Sequence, residues 1–144
     1  MRRNKTLLFI HLVWGMWDRL PLITPDIERR LHRNIESEAR KMGCTVLAIN
    51  GTEDHVHMLV KIPTTTTIAN LVKQVKGVSS HFVNEVLRPP AKFKWQGYYG
   101  AFTVSRWDVD KIKGYIKRQK EHHQSGEVVE SFEEAFEEFD RGRA

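Results

Sequence analysis

The chain has 144 residues, 40% hydrophobic and 28% charged, which is the size and balance of one ordered domain and excludes a disordered segment. No apolar run approaches the roughly 18 residues that span a bilayer, the N-terminal Met-Arg-Arg-Asn-Lys runs into Leu7 to Trp14 without a small-residue cleavage site, and the lone Cys44 has no internal disulfide partner, so a cytoplasmic chain without membrane insertion is expected. The net charge of +5 hides an asymmetry, because residues 127–144 hold seven acids and two arginines while residues 1–126 hold 21 bases and 11 acids, a basic body suited to a polyanion or, equally, to simple solvation.

Leu7 to Trp14 is a β-prone apolar run. Thr24-Pro25-Asp26 then supplies a cap, a first-turn proline and an acid in the order that starts a helix. That helix repeats Ile27, Leu31, Ile35 and Ala39 and stops at Gly43. Thr45 to Asn50 and His55 to Ile62 read as strands joined through Gly51-Thr52-Glu53-Asp54, and Pro63 closes the second. The threonines at 64–67 offer caps for a second helix, whose apolar positions Ile68, Leu71, Val72, Val75, Val78, Phe82 and Val86 follow the 3.6 period up to Pro89-Pro90.

Phe93 to Val104, with Gly97 and Gly100, suits a bent strand or a hairpin with a loop. Ser105 and Asp108 can cap a third helix from about Trp107 to His123, and Ser125-Gly126 separates it from the acidic end. This order gives an α+β fold: a ferredoxin-like split βαβ antiparallel sheet with an additional C-terminal helix. A single domain over residues 1–144 is expected, with 127–144 an acidic helix or tail.

His55-Val56-His57 is the sharpest local signal. Residues two apart on a strand share a face about 7 Å apart, so both imidazoles can hold one metal. Val56, Met58, Val60 and Ile62 form the unbroken apolar row that two covering helices require, which puts the histidines on the other face. A His-x-His pair alone is weak, since backbone can also satisfy buried imidazoles.

In the third helix Ile112, Tyr115, Ile116 and Gln119 fall at i, i+3, i+4 and i+7, one inward stripe. A buried amide without a partner costs about 1 to 3 kcal/mol. Gln119 either bonds backbone or offers its carbonyl oxygen to a metal held by the imidazoles. A mixed nitrogen and oxygen set with open positions suits Mg²⁺ or Mn²⁺ on a phosphate oxygen, and a metal that polarises phosphate is what a phenol with a pKa near 10 needs in order to attack.

Asp54-His55-Val56-His57-Met58-Leu59-Val60, the strand Ile10-His11-Leu12-Val13-Trp14, Trp95-Gln96-Gly97-Tyr98-Tyr99, and Gly114-Tyr115-Ile116-Lys117-Arg118-Gln119 followed by Glu121-His122-His123 together resemble the single-tyrosine HUH transposases. That family includes insertion-sequence enzymes that move single-stranded DNA and their relatives associated with repetitive extragenic palindromes. The resemblance implies a ferredoxin-like fold, His55, His57 and Gln119 as metal ligands, Mg²⁺ or Mn²⁺ as cofactor, and Tyr115 as nucleophile on the added helix.

It further implies a DNA transposase that cuts and rejoins single-stranded DNA beside hairpins through a 5′-phosphotyrosine, acts as a homodimer, and sits in the cytoplasm at the nucleoid. Two departures stand out. Trp14-Gly15-Met16-Trp17-Asp18-Arg19 replaces the family's Thr-Lys before the arginine, and the C-terminal segment is short.

Lys73, Lys76 and Ser80 share the outer face of the second helix, and Lys92, Lys94, Trp95, Tyr98, Tyr99 and Arg106 interleave bases with aromatics as a single-strand-binding surface does. Lys73, Lys76, Lys94, Trp95, Tyr98 and Arg106 are therefore the candidate DNA contacts, although half of the aromatics can equally be core. His122 and His123 are candidates for a ligand or a proton shuttle, and His11 and His81 for packing or phosphate contact. The alternative reading of the same sheet is a non-catalytic ferredoxin-like nucleic-acid-binding domain, which has no need of the Tyr115, His55, His57 and Gln119 constellation.

Overall fold

The fold follows from a computed structural model that describes residues 3–121. β1 (Phe9–Gly15), α1 (Pro25–Lys41), β2 (Thr45–Gly51), β3 (His55–Lys61), α2 (Ile68–Phe82), β4 (Gly100–Val104) and α3 (Val109–Lys117) succeed one another in the expected order. The strands form one sheet in the order β2-β3-β1-β4 with every neighbouring pair antiparallel, which is the ferredoxin-like split βαβ arrangement. Among the described residues no helix is long and apolar enough to cross a membrane. The acidic segment 127–144 and His122-His123 lie outside the described residues.

Pairing sets which side chains share a face. β3 lies centrally, with Leu12 opposite Met58 and Val13 opposite His57 on one side, and Asn50 opposite His57 on the other. Its even residues Val56, Met58 and Val60 join Ile10, Leu12 and Trp14 of β1 under α1 and α2, where Ile27, Leu31, Ile35, Leu71, Val72 and Val75 are buried. Its odd residues face α3, where Ala48, Leu59, Ile112, Tyr115 and Ile116 form a second, smaller cluster. The strand is thus buried on both faces, and only its side-chain alternation separates a dry core from the histidine face.

Local chemistry explains the element ends. Pro25 starts α1, and Gly43 adopts φ +86°, the left-handed conformation that glycine tolerates after a helix. The Thr67 hydroxyl accepts from the Asn70 N–H and caps α2. At the β2–β3 turn a Cβ on Gly51 would lie 2.1 Å from the His55 carbonyl oxygen, so only glycine fits that approach.

Three expectations change. The second helix leaves α geometry after Phe82 for a π turn at Val83–Leu87 and ends at a left-handed Arg88, which puts Val86 outside, 64% exposed. Residues 93–99 make a single strand-like bridge, Met16 to Trp95, because the Asn84 amide clamps the backbone of Phe93 through both its donor and its acceptor and Trp95 turns into the core against Trp14. The third helix starts at Val109, leaving Trp107 79% exposed before it, and is interrupted at Arg118 (φ −101°, ψ 20°) ahead of Gln119.

Leu31 is fully buried between α1 and the sheet, so Leu31→Ala is expected to cost about 2 to 5 kcal/mol. Urea unfolding followed by circular dichroism measures it.

Candidate active site

β3 aims His55 and His57 at α3 with their ring centroids 5.0 Å apart. Both are essentially inaccessible to solvent, and each is gripped at Nδ1. His55 Nδ1–H donates to Asp54 Oδ1 at 2.7 Å, with the Thr52 hydroxyl 2.9 Å away. His57 Nδ1 shares a 2.9 Å hydrogen bond with His11 Nε2, and the two rings stack at 5.1 Å. The remaining nitrogens, His55 Nε2 and His57 Nε2, are buried.

Asp54 anchors this shell from outside. Burial alone would raise its carboxyl, but the hydrogen bond and charge of His55, the charge of Arg19 and the Thr52 hydroxyl bring it down to about 2. Arg19 reaches Asp54 Oδ2 at 3.4 Å from a stretch in which Asp18 and Arg19 both have positive φ.

α3 carries Tyr115, 2% exposed, whose ring meets that of His57 edge-on with centroids 6.0 Å apart. Gln119, fully buried, follows one turn later on the far side of the break at Arg118. The break is held by partners beyond the helix. Asn50 Nδ2 donates to the Lys117 carbonyl at 3.0 Å, while Lys120 Nζ donates to Asn50 Oδ1, Gly51 O and Glu28 Oε1 at 2.7, 3.2 and 2.9 Å. Both β2 acceptors sit at the end of the strand that pairs with the histidine strand.

Among the described residues no group of three His, Cys, Asp or Glu can hold a metal ion. Among those residues the amide of Gln119 is a buried polar group of another type, just beyond the end of α3. The donor types fit a divalent ion: Nδ1 of each imidazole has an outer partner, which leaves Nε2 as the atom that would face a ligand, and two such nitrogens with an amide oxygen would make a set with open positions.

The candidate DNA contacts separate into two places. A cleft of about 530 Å³ between α2 and residues 92–99 is lined by Lys73, Lys76, Lys92 and Lys94 with Phe93, Trp95 and Tyr99. Lys94 lies exposed with its ammonium 3.9 Å over the Trp17 ring. Lys76 is not on an open face as its helix position suggests: it is half-buried, donates to the Gln96 and Tyr98 carbonyls, and burial lowers it from 10.5 to about 8. Trp95 belongs to the core, with Nε1 donating to Ser79 and its ring against Trp14 and Phe93, while also lining the cleft. Tyr98 is half-buried beside it, and Arg106 lies outside the cleft with its guanidinium stacked on Trp107.

The cleft opens on the α1 and α2 side of the sheet. It nonetheless adjoins the histidines, because Gln96 N–H donates to the Gly15 carbonyl at 2.9 Å and Gly15 pairs with His55. Asn50, Thr52 and Lys120 are neighbours of the histidines that the sequence leaves without a role, and His11, read there only as packing or phosphate contact, bonds to His57. For His11 the visible signal is a polar interruption of the apolar β1 run, which acquires meaning only with the register that places it diagonal to His57.

The chain matches the family described as transposase IS200-like over residues 4–119. It is similar to the ISDra2 transposase TnpA of Deinococcus radiodurans, 28% identical over 115 residues covering 76% of this chain and 81% of that one. It is also similar to the transposase for insertion sequence element IS200 of Salmonella typhimurium, 36% identical over 83 residues, about half the length of each chain. Among solved structures, a REP-associated tyrosine transposase bound to a REP hairpin shares the fold with a TM-score of 0.63 at 14% identity, over 89% of this chain and 74% of that one. A crystal structure from Deinococcus radiodurans R1 superposes with a TM-score of 0.65 at 24% identity, over 83% of this chain and 98% of that one.

Asp54 gives a pH signature. Its folded value of about 2 lies below the ordinary 3.8, so the unfolded chain binds more protons between the two, and the contribution is complete above 3.8 and lost as pH falls toward 2. Urea unfolding between pH 5 and 2 is expected to show Asp54→Asn with a shallower acid loss than the parent.

Proposed function

This chain belongs to the IS200-like transposases, and on that footing we propose that it cuts and rejoins single-stranded DNA next to hairpins through a 5′-phosphotyrosine intermediate. The observation that carries the reading is the meeting of Tyr115 with His57 at 6.0 Å between ring centroids, with His55 5.0 Å from His57 and Gln119 buried one turn after Tyr115. A hydroxyl nucleophile needs phosphate neutralisation close by, and the imidazole face supplies the place for it.

His55, His57 and Gln119 would hold Mg²⁺ or Mn²⁺, which when bound polarises the scissile phosphate and stabilises its developing charge. Tyr115 Oη loses its proton and attacks phosphorus. The new bond joins Oη to the 5′-phosphate, the bond to the 3′-oxygen breaks, and that oxygen leaves as a 3′-OH after taking a proton. The phosphotyrosine conserves the bond, so a 3′-OH attacking the same phosphorus rejoins strands without water or ATP. Asp54 and Thr52 hold His55, and the grip of Asn50 and Lys120 on the end of α3 sets where Tyr115 and Gln119 stand.

The lysine cleft is suited to the sugar-phosphate backbone of the hairpin and its flank. Four lysines without a carboxylate line it, and a strand leaving it at Gln96 is two strand spacings, about 10 Å, from the His55 backbone, by way of Gly15. Homodimerisation and residence at the nucleoid belong to the same proposal.

The decisive experiment mixes the protein with labelled single-stranded hairpin DNA and Mn²⁺. A denaturant-resistant protein–DNA band carrying the 5′-phosphate side is expected, and Tyr115→Phe, which keeps the ring and deletes the hydroxyl, is expected to give none while still folding. No band with the parent protein on any flanking hairpin would favour a non-catalytic DNA-binding domain. A second expectation concerns affinity. Hairpin binding, followed by fluorescence anisotropy, should weaken steeply with salt and weaken again from pH 7 to 9 as the Lys76 ammonium is lost near 8. Lys76→Gln should flatten that pH step.

A further inference from the structure

The two histidines of the site are held differently. His55 donates to a carboxylate, which only accepts, so its proton is fixed on Nδ1. His57 is held by another imidazole, His11 Nε2, at 2.9 Å, and an imidazole nitrogen can donate or accept. If His11 donates, His57 carries its proton on Nε2 and cannot ligate from there. If His11 accepts, His57 carries the proton on Nδ1 and its Nε2 lone pair is available.

We infer that His11 is the positioning residue of the metal site, accepting the Nδ1–H of His57 at its own Nε2 and so fixing both the tautomer and the ring plane of that ligand. This rests on the metal reading of His55, His57 and Gln119. The placement is built into the sheet. His11 pairs with Leu59 and Val13 with His57, so the His11 ring reaches His57 on the diagonal across β1 and β3. Its ring stacks on His57 at an interplanar angle of 30°, and Phe102, opposite His11 on β4, closes in edge-on at 6.3 Å. His11 is 2% exposed and His57 0%, so the pairing is settled inside the protein and not by bulk water.

The two outer partners also differ in charge. Asp54 is a carboxylate at its hydrogen bond with His55, which makes that imidazole the stronger donor. His11 orients His57 without adding a negative charge, so the site stays less anionic than one with two carboxylate partners, which favours approach of a phosphodiester.

Mn²⁺ titration of the full chain, read by the loss of free-ion electron paramagnetic resonance signal, tests this without strand cleavage. His11→Phe keeps a stacking ring and removes the acceptor, and is expected to bind Mn²⁺ about 10- to 100-fold more weakly than the parent. His11→Gln restores an acceptor oxygen at similar reach and is expected to recover most of that loss. Long-range ¹H–¹⁵N spectra of the Mg²⁺-loaded parent protein, which need no variant, should show His57 protonated at Nδ1 and His11 Nε2 without a proton.

A folded His11→Phe with parental Mn²⁺ affinity, a His11→Gln as weak as His11→Phe, or a proton on His11 Nε2 in the loaded protein overturns the assignment of His11 alone. Absence of Mn²⁺ binding by the parent protein overturns the metal reading and this inference with it.

Discussion

β3 is covered on both faces, and the consequences of that one constraint run through the molecule. A strand exposed on one side can put polar residues in water, whereas a strand with helices over both faces must bury everything it carries. On the α1 and α2 side this is met by Val56, Met58 and Val60. On the α3 side it is met by Leu59 and two imidazoles, which are tolerable there only because each has a polar partner at Nδ1. Removing one partner would leave a buried donor at a cost of about 1 to 3 kcal/mol. The outer shell therefore serves stability and site geometry together.

The same constraint explains why the chain spends irregular backbone near the site. Gly51 presses its backbone against the His55 carbonyl, Asp18 and Arg19 take left-handed conformations to reach Asp54, and α3 breaks at Arg118 so that the Lys117 carbonyl turns to Asn50. Left-handed non-glycine residues cost of order 1 kcal/mol or more each and persist where surrounding contacts over-determine them. Here those contacts converge on two places, the outer side of His55 and the end of the helix bearing Tyr115.

Lysine cleft and histidine face lie on opposite sides of one sheet, which keeps the cationic surface apart from the buried imidazoles. The four lysines of the cleft lie beside α2, apart from the buried histidines. The link between the two is short and made of backbone, Gln96 to Gly15 to His55. Lys76, donating to the Gln96 and Tyr98 carbonyls, ties the segment that forms this link to α2.

Local periodicity determined the strand and helix order, the ferredoxin-like topology, the faces of β3 and the inward stripe from Ile112 to Gln119, because alternation and the 3.6 period are properties of the chain alone. Pro25, Gly43 and Pro89-Pro90 fixed ends for the same reason. Tertiary structure decided what depends on partners far apart in sequence. Trp95 reads as an open stacking residue until Ser79 and Trp14 claim it, Lys76 reads as exposed until residues 96–98 cover it, and the third helix reads as continuous until Asn50 takes its carbonyl. His11 reads in the sequence only as packing or phosphate contact, and only the β1–β3 register brings its Nε2 to 2.9 Å from His57 Nδ1. A hydrogen bond between residues 46 positions apart is set by strand pairing, and no pattern within either strand encodes it.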